Sequence, residues 1–375
     1  MSVEHLRTLT ARQAAAELAG DEDGAWDTGA VHYGLDTFRI VYRTVDPHGR
    51  PTTASGLLAL PRSGERRLRA VSFTHGTELL KGDVASVSAE VWDQAPVLTY
   101  ASAGFAAVLP DHLGMGLGPG PQAWMDVPSE TTAALDMLRA SRTVATRQGR
   151  ELRRGVLATG FSQGASAALG LARSLQEGAD HWFRIRAIAP VSGAYAFRDA
   201  ALPALLAGRT DPKASVICTA LFLVAFNRLH HLYDTPARAF RAPYDRTIEG
   251  LLDGTHTGQE VVAGTPDSLD ALLTARGRAM PAHPPDGWRR PCGPRTACAP
   301  TGCRGLRSGS TTPRGTSRPS TRTRPTATPP CAPTASTPRW STSAPRTTAA
   351  PAISVPSRRE PPPWSGGSGR FGRHT

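Results

Sequence analysis

GVLATGFSQGASAALGLA, residues 155–172, is the stretch of sequence that decides the fold. Residues 155–159 are a short apolar segment typical of a buried strand, and residues 165–172 favour a helix with a small-residue face. Between them lies a Gly-x-Ser-x-Gly pentapeptide centred on Ser162. A strand that turns sharply into a helix exposes the central side chain above the sheet, and the flanking glycines permit the turn because they have no Cβ. We therefore predict a nucleophile elbow at Ser162, with an ordinary strand–helix turn as the alternative.

The residues around this stretch predict an α/β fold. Residues 37–45 and 52–60 have strand character, and the Asp-Pro-His-Gly-Arg segment between them is a turn, so we expect an antiparallel hairpin. From residue 68 onward strands alternate with helices, which favours a mostly parallel, doubly wound sheet with helices on both faces. The expected strands are residues 68–73, 105–109, 155–159 and 185–190, and the expected helices are residues 85–103, 129–148 and 163–176.

The segment after the last of these strands changes character. Residues 198–280 have a helical pattern throughout, with expected helices at 201–206, 214–232, 247–252 and 268–275. Their size and place predict a cap over an active site. Apolar cap residues suited to an acyl chain, or simply to a core, are Leu221, Phe222, Leu223, Val224 and Phe226. We divide the chain into a helical lead-in (1–30), an α/β core (31–197), a helical cap (198–286) and a tail (287–375).

A glycine-bearing loop, Thr74-His75-Gly76-Thr77, follows the strand expected at residues 68–73. Ligands of open α/β sheets bind at the carboxyl ends of the strands, so this loop should face the elbow. The backbone N–H groups of Thr77 and Gln163 would then form an oxyanion hole for a tetrahedral intermediate. Alternatively, Gly76 only permits a tight turn and His75 forms a local hydrogen bond.

Other polar motifs are weaker candidates for chemistry. The loop from Asp111 to Gly118 is rich in glycine but lacks the Lys-Ser/Thr of a phosphate loop, so we interpret it as a structural loop at the pocket rim. Asp111 and His112 precede Ser162 and do not fit the chain order of a triad on this fold. Candidates for a substitute base and acid lie in the cap, although we do not place a triad on them: His230, His231, His256, Asp234 and Asp253.

The last 85 residues, 291–375, have an unusual composition. Thirteen Arg, sixteen Pro, fifteen Thr and eleven Ser make up most of this segment, which holds one acidic residue, Glu360. Its net charge of +12 equals that of the whole chain, so the 30 basic and 30 acidic groups of residues 1–290 cancel. Such a segment buries too little apolar surface to offset its ordering entropy, and we expect it to be disordered.

Three interpretations of this tail compete: a basic arm that binds nucleic acid, a Pro/Ser/Thr-rich linker, or GC-rich coding sequence read in the wrong frame. We favour the third, because the tail begins where the α/β core still lacks its last strands. Four of the five cysteines lie in the tail without a C-x-x-C pair, so no metal site or cofactor is expected. Cys218 lies in an apolar run and is expected in the core.

Nothing in the first thirty residues indicates a signal peptide, because Asp21-Glu22-Asp23 interrupts them and no apolar stretch of suitable length is present. The longest apolar run, residues 215–226, is shorter than the about 20 residues that a membrane span requires. We therefore expect a soluble, cytoplasmic protein without a membrane span. The sequence does not indicate an oligomeric state.

The chain resembles α/β-hydrolases, and within that fold bacterial lipases and esterases of the secretory-lipase type. The resemblance covers about residues 30–285 and rests on three motifs in this order: residues 74–77, residues 110–116 and residues 160–164. It implies hydrolysis of small-molecule carboxylic esters through an acyl-enzyme on Ser162. The chain departs from the family by showing no signal peptide and no acid or histidine after the serine, so we expect impaired turnover.

Two alternatives to ester hydrolysis remain open at this stage. The first is another acyl-transfer chemistry on the same fold, such as that of a peptidase or an acyltransferase. The second is a catalytically inactive protein whose basic tail binds nucleic acid. No nucleic-acid partner is expected for the folded core, because its charges cancel.

Overall fold

The structure is a computed structural model that describes residues 1–20 and 26–282. The predicted tail, with its expected disorder, its four cysteines and its excess of arginine, lies outside these residues. The last four residues of the predicted cap, 283–286, also lie outside them.

Nine strands in the described residues form one large sheet and one small one. They are β1 (Ser2–Leu9), β2 (Leu35–Val45), β3 (Pro51–Pro61), β4 (Arg67–Leu68), β5 (Ala70–Thr74), β6 (Ala106–Pro110), β7 (Glu151–Leu152), β8 (Gly155–Phe161) and β9 (Arg184–Val191). The large sheet has the order β1-β2-β3-β6-β5-β8-β9, and β4 pairs with β7 beside it. In this sheet order, the pairs β1–β2, β2–β3 and β3–β6 are antiparallel. The pairs β6–β5, β5–β8 and β8–β9 are parallel. This pattern confirms the predicted hairpin and the predicted parallel region.

The hairpin between β2 and β3 closes on the predicted turn. Asp46 Oδ1 accepts hydrogen bonds from the backbone N–H groups of His48 and Arg50, both at 2.9 Å. Gly49 has a φ of 78°, a conformation that glycine adopts without steric cost. The turn residues therefore specify both the place and the geometry of the hairpin.

The N-terminal segment was predicted incorrectly in part, because residues 1–30 begin with a strand rather than a helix. β1 pairs antiparallel with β2, and a helix, α1 (Ala11–Ala19), follows it. The side chains of β1 are mostly exposed, and only Leu9 is buried. An exposed edge strand does not need the apolar alternation by which a sequence reveals strands.

Helices cover both faces of the sheet, as predicted. They are α1, α2 (Val91–Ser102), α3 (Val127–Arg147) and α4 (Gln163–Gln176). On one face Leu58 and Leu60 of β3 share a core with α3 and α4, and on the other Leu57 and Ala59 share a core with α1 and α2. Alternate residues of a strand point to opposite faces, so one apolar strand serves both cores.

The remaining described chain is helical. Its helices are α5 (Leu202–Leu206), α6 (Pro212–His230), α7 (Tyr244–Leu251), α8 (Gly258–Gly264), α9 (Leu269–Leu272) and α10 (Ala275–Ala279), with single turns at Phe197–Ala201, Pro236–Arg238 and Met280–Ala282. The single helix predicted over residues 268–275 is instead divided between α9 and α10. Leu273 leaves the helical conformation and bridges Phe240, and the Thr274 side chain then caps α10.

Helix α6 is the centre of this helical region. It has 19 residues and, by length and composition alone, is long and apolar enough to cross a membrane. The apolar run of residues 215–226 is shorter than this helix, so the sequence analysis did not identify it as a candidate span. Eleven of its residues are buried among the surrounding helices, as in the central helix of any packed layer. Cys218 is half-buried on α6, and burial raises the pKa of its thiol to about 11.

The last strand of the sheet, β9, has an exposed edge. Among the described residues, β8 is its only strand partner. Ala187, Ile188 and Ala189 are exposed, and Ile188 retains 47% of its accessible surface. Unpaired strand edges with apolar side chains promote association with other chains, so natural sheets usually cover or charge them.

Candidate active site

Ser162 lies at the sharp turn between β8 and α4, as the pentapeptide predicts. Its backbone has φ 53° and ψ −117°, a conformation that residues with a Cβ rarely adopt and that costs on the order of 1–3 kcal/mol. Ser162 occupies the N-cap of α4, yet its side chain makes no capping hydrogen bond. The hydroxyl therefore does not cap the helix that follows it.

The two glycines of the pentapeptide allow β8 and α4 to approach β5. A Cβ on Gly164 would overlap the carbonyl oxygens of Thr74 and His75, and a Cβ on Gly160 would overlap Thr74 Oγ1. Thr74 Oγ1 instead donates a hydrogen bond of 2.5 Å to the Gly164 carbonyl oxygen. Glycine is required at both positions because neighbouring backbone occupies the space of a side chain.

Sheet register places the predicted oxyanion loop beside the elbow. β5 and β8 are parallel neighbours, and Thr74 is paired with Gly160, so the residues that follow both strands emerge together. A Cβ built on Gly76 would lie 3.7 Å from the Cβ of Ser162. The structure therefore places the loop of residues 74–77 beside the candidate nucleophile.

The side chains of Thr77 and Gln163 also meet. Thr77 Oγ1 donates a hydrogen bond of 3.3 Å to Gln163 Oε1. Within residues 26–282, neither the Thr77 nor the Gln163 backbone N–H has a hydrogen-bond acceptor. Two amides without acceptors, on adjacent loops beside a serine, can bind the oxygen of a polarised carbonyl.

His75 and His112 form a stacked pair behind this loop, with ring centroids 4.2 Å apart. His75 Nδ1–H donates to the Gly76 carbonyl oxygen at 2.8 Å, and His75 Nε2 accepts from the His112 backbone N–H at 3.3 Å. His112 Nε2–H in turn donates to the His75 carbonyl oxygen at 3.2 Å. Burial holds the pKa of His75 well below its usual range and lowers that of His112 to about 4. Both rings are therefore neutral supports of the loop.

The loop that begins at Asp111 has a buried polar anchor. Ser55 and Ser86 each donate a hydrogen bond of 2.5 Å to Asp111 Oδ2. Burial raises the pKa of Asp111 to about 6. Gly116 faces this cluster, and a Cβ there would overlap both Asp111 and Ser55. These contacts agree with a structural loop.

No described residue serves as a base for Ser162. The Ser162 hydroxyl has no hydrogen-bond partner in residues 1–20 and 26–282. The cap histidines have other neighbours: His230 contacts the Phe226 ring, His231 caps the end of α6, and His256 Nδ1 lies 3.5 Å from Asp253 Oδ1.

The other acidic candidate, Asp234, forms an ion pair of 3.2 Å with Arg238. No group of three or more His, Cys, Asp or Glu side chains suited to a metal ion occurs in the described part of the chain. An open cavity of about 310 Å³ in the helical region is lined by residues including Leu206, Ser215 and Leu269, but not by Ser162, Thr77 or Gln163.

The sequence analysis did not identify two side chains that contact the predicted site residues. Trp124 Nε1–H donates a hydrogen bond of 2.9 Å to Thr77 Oγ1, and Gln163 Nε2–H donates one of 2.7 Å to Glu130 Oε1. Trp124, Gln163 and Glu130 are all buried. A glutamate in the first turn of a helix is ordinary because it complements the helix dipole. No sequence signal therefore distinguished Glu130 from a structural residue.

Strand order, parallel register and the serine turn together define the α/β-hydrolase fold. No family model matches the sequence, and a comparison with curated proteins found no match. Solved structures are similar. A hydrolase from Legionella pneumophila has a TM-score of 0.68 and 22% identity, over 75% of this chain and 74% of that one.

Two further solved structures carry the same fold. The rice cell wall degrading esterase LipA from Xanthomonas oryzae has a TM-score of 0.67 and 24% identity, over 77% of this chain and 76% of that one. Candida antarctica lipase A in its closed state has a TM-score of 0.52 and 13% identity, over 74% of this chain and 60% of that one. At these identities the likeness establishes the α/β-hydrolase fold, which hosts many chemistries.

Proposed function

We propose that this chain is built as a serine hydrolase of carboxylic esters that works through an acyl-enzyme. The observation that carries the proposal is the strained elbow, which presents the Ser162 hydroxyl without a capping bond beside two amides that lack acceptors. The esterase and lipase named among the similar structures support the choice of ester over other acyl groups.

In the proposed reaction, Ser162 Oγ attacks the ester carbonyl carbon and forms a tetrahedral intermediate. The negative charge moves to the carbonyl oxygen, to which the Thr77 and Gln163 amides donate hydrogen bonds. Collapse of the intermediate breaks the bond between the carbonyl carbon and the alkoxy oxygen, which takes up the proton lost by Ser162 and leaves as the alcohol. Water then attacks the acyl group on Ser162, releases the carboxylic acid and restores the serine hydroxyl. Loss of one such donor costs about 10²–10³ in kcat in a well-studied serine protease.

The proton of Ser162 needs an acceptor, and the described residues do not supply one. A serine hydroxyl is a weak nucleophile until a base accepts its proton. We therefore propose that the chain with this C-terminal sequence turns over esters very slowly. The exposed edge of β9 supports this view, because it lies where further strands would continue the sheet.

The apolar cap residues named in the sequence analysis do not line an open site. All five are buried in the cluster of side chains around α6, with at most 6% of their surface exposed. Of the two interpretations, the structure favours a core over an open acyl site for these residues.

Covalent labelling tests the proposal directly. A fluorophosphonate probe should label the full chain slowly at Ser162, because no described residue accepts the proton of its hydroxyl. Ser162→Ala should abolish labelling, because the probe forms its covalent bond with the serine oxygen. Turnover of 4-nitrophenyl esters should remain near background for both proteins. Labelling at another residue, or fast turnover that survives Ser162→Ala, would overturn the proposal.

A further inference from the structure

Four side chains from separate parts of the chain form one continuous line of hydrogen bonds behind the candidate oxyanion hole. Trp124 donates to Thr77 at 2.9 Å, Thr77 donates to Gln163 at 3.3 Å, and Gln163 donates to Glu130 at 2.7 Å. We propose that this relay is a positioning device that holds the two oxyanion amides together and connects them to the apolar core around α6. The inference rests on the proposed function.

The direction of the first bond of the relay is fixed by the chemistry of the indole group. The Trp124 indole has a donor and no acceptor, so Thr77 Oγ1 must accept from it and directs its own proton to Gln163. The carboxamide of Gln163 then presents its oxygen to Thr77 and its nitrogen to Glu130.

Thr77 and Gln163 each have two roles in this arrangement. Their backbone N–H groups are the proposed oxyanion donors, and their side chains are the two central members of the relay. The two residues follow different strands, β5 and β8, and are separated by 86 positions in the sequence. A bond between their side chains restrains one loop against the other, which is what a preorganised oxyanion site requires.

At its first end the relay enters the apolar core of the helical region. Trp124 is 3% exposed and contacts the Phe197 ring edge to face, with centroids 5.7 Å apart. Phe197 in turn packs against Phe222 of α6. The packing around α6 therefore supports the Trp124 indole that donates to the Thr77 hydroxyl.

At its other end the relay terminates on a buried carboxyl group in the first turn of α3. Glu130 is 2% exposed, and Oε2 has no hydrogen-bond partner among the described residues. Asp126 and the Met125 backbone N–H face Glu130, and Asp126 is in turn faced by His230 and His48. Burial raises the pKa of Glu130 to about 8, so the group is a neutral acid at pH 7.

The relay can be tested by NMR without any turnover. The full chain contains seven tryptophans, and Trp124→Phe assigns the indole N–H signal of Trp124. We expect this signal to shift with pH with a midpoint near 8, because charge on Glu130 polarises every bond of the chain. Glu130→Gln should abolish the titration but keep the bonded position of the signal, since the amide oxygen still accepts.

Variants in the middle of the relay test its continuity. Thr77→Val keeps the backbone amide and removes the hydroxyl. The chemical shift of the Trp124 indole N–H should therefore move to that of an indole without a hydrogen-bond acceptor, and it should no longer change with pH. Thr77→Ser restores the hydroxyl and should restore both properties. Glu130→Leu tests the same continuity from the other end of the relay. Burial also raises the pKa of Glu78, the neighbour of Thr77, to about 8. A Trp124 signal that is unchanged in Thr77→Val, or that still titrates near pH 8 when Glu78→Gln and Glu130→Gln are combined, would refute the relay.

The positioning role has a separate readout in the fluorophosphonate labelling rate of Ser162. Thr77→Val and Glu130→Leu should lower this rate about tenfold or more, because misplaced groups at a reacting centre lose rate steeply. Equal rates in wild type and in variants with a broken relay would refute the role. If NMR shows the relay but no form of the protein labels, the proposed function fails while the relay stands.

Discussion

Ser162→Gly should be more stable than Ser162→Ala, although both variants lack the nucleophile. The structure holds residue 162 at φ 53° and ψ −117°, where a Cβ meets the neighbouring backbone. Glycine adopts this conformation without that clash, whereas alanine retains it. The two variants therefore separate the backbone strain from the loss of the hydroxyl.

The expected difference follows from two opposing effects. A strained residue of this kind costs on the order of 1–3 kcal/mol of stability, and replacing it by glycine removes this cost. Glycine also makes the unfolded chain more flexible, which costs about 0.5–1 kcal/mol relative to alanine. Taking the middle of each range, the net gain in the free energy of unfolding is about 1 kcal/mol, or a rise in Tm of about 2–4 °C.

Urea denaturation followed by circular dichroism, together with Tm, measures this difference. Wild type should resemble Ser162→Ala, because its hydroxyl has no hydrogen-bond partner in the described residues. Equal stability of the alanine and glycine variants, or a more stable alanine variant, would show that residue 162 is not strained. The elbow would then be an ordinary strand–helix turn, and its geometry would no longer support a nucleophile.

Three further expectations follow from the packing and the electrostatics. Gly164→Ala should destabilise the protein and abolish labelling of Ser162, because the added Cβ overlaps the backbone after β5; wild-type labelling by Gly164→Ala would contradict this. The unfolded carboxyl of Glu130 ionises near 4.5 and the folded one near 8, so its contribution to stability is lost as pH rises through this range. The stability difference between Glu130→Gln and wild type should accordingly grow from pH 4.5 to pH 8 in urea titrations, and a constant difference would refute the shift. Restoring a reading frame near the codons for residues 288–291 should supply strands beyond β9, an acid and a histidine, and raise esterase activity by several orders of magnitude; sequencing that shows an intact frame would remove its basis.

The helical and strand elements that position Ser162 could be predicted because each is specified locally. Helix α4 has the predicted bounds, Gln163–Gln176, because the glycine-flanked serine marks its start. The hairpin was predictable because Asp46 and Gly49 specify a turn. β1 was not, since an exposed edge strand carries no apolar alternation.

The sequence by itself determined the elbow, the glycines that it requires and the loop that faces it. These are properties of short segments, in which the steric demands of one turn select the residues. Only the tertiary structure showed that Trp124 and Glu130 contact the candidate site residues, since they lie 47 positions from Thr77 and 33 from Gln163. It also decided that His75 and His112 are neutral supports, because burial and shared hydrogen bonds set the pKa of a histidine and arise only when distant segments pack together.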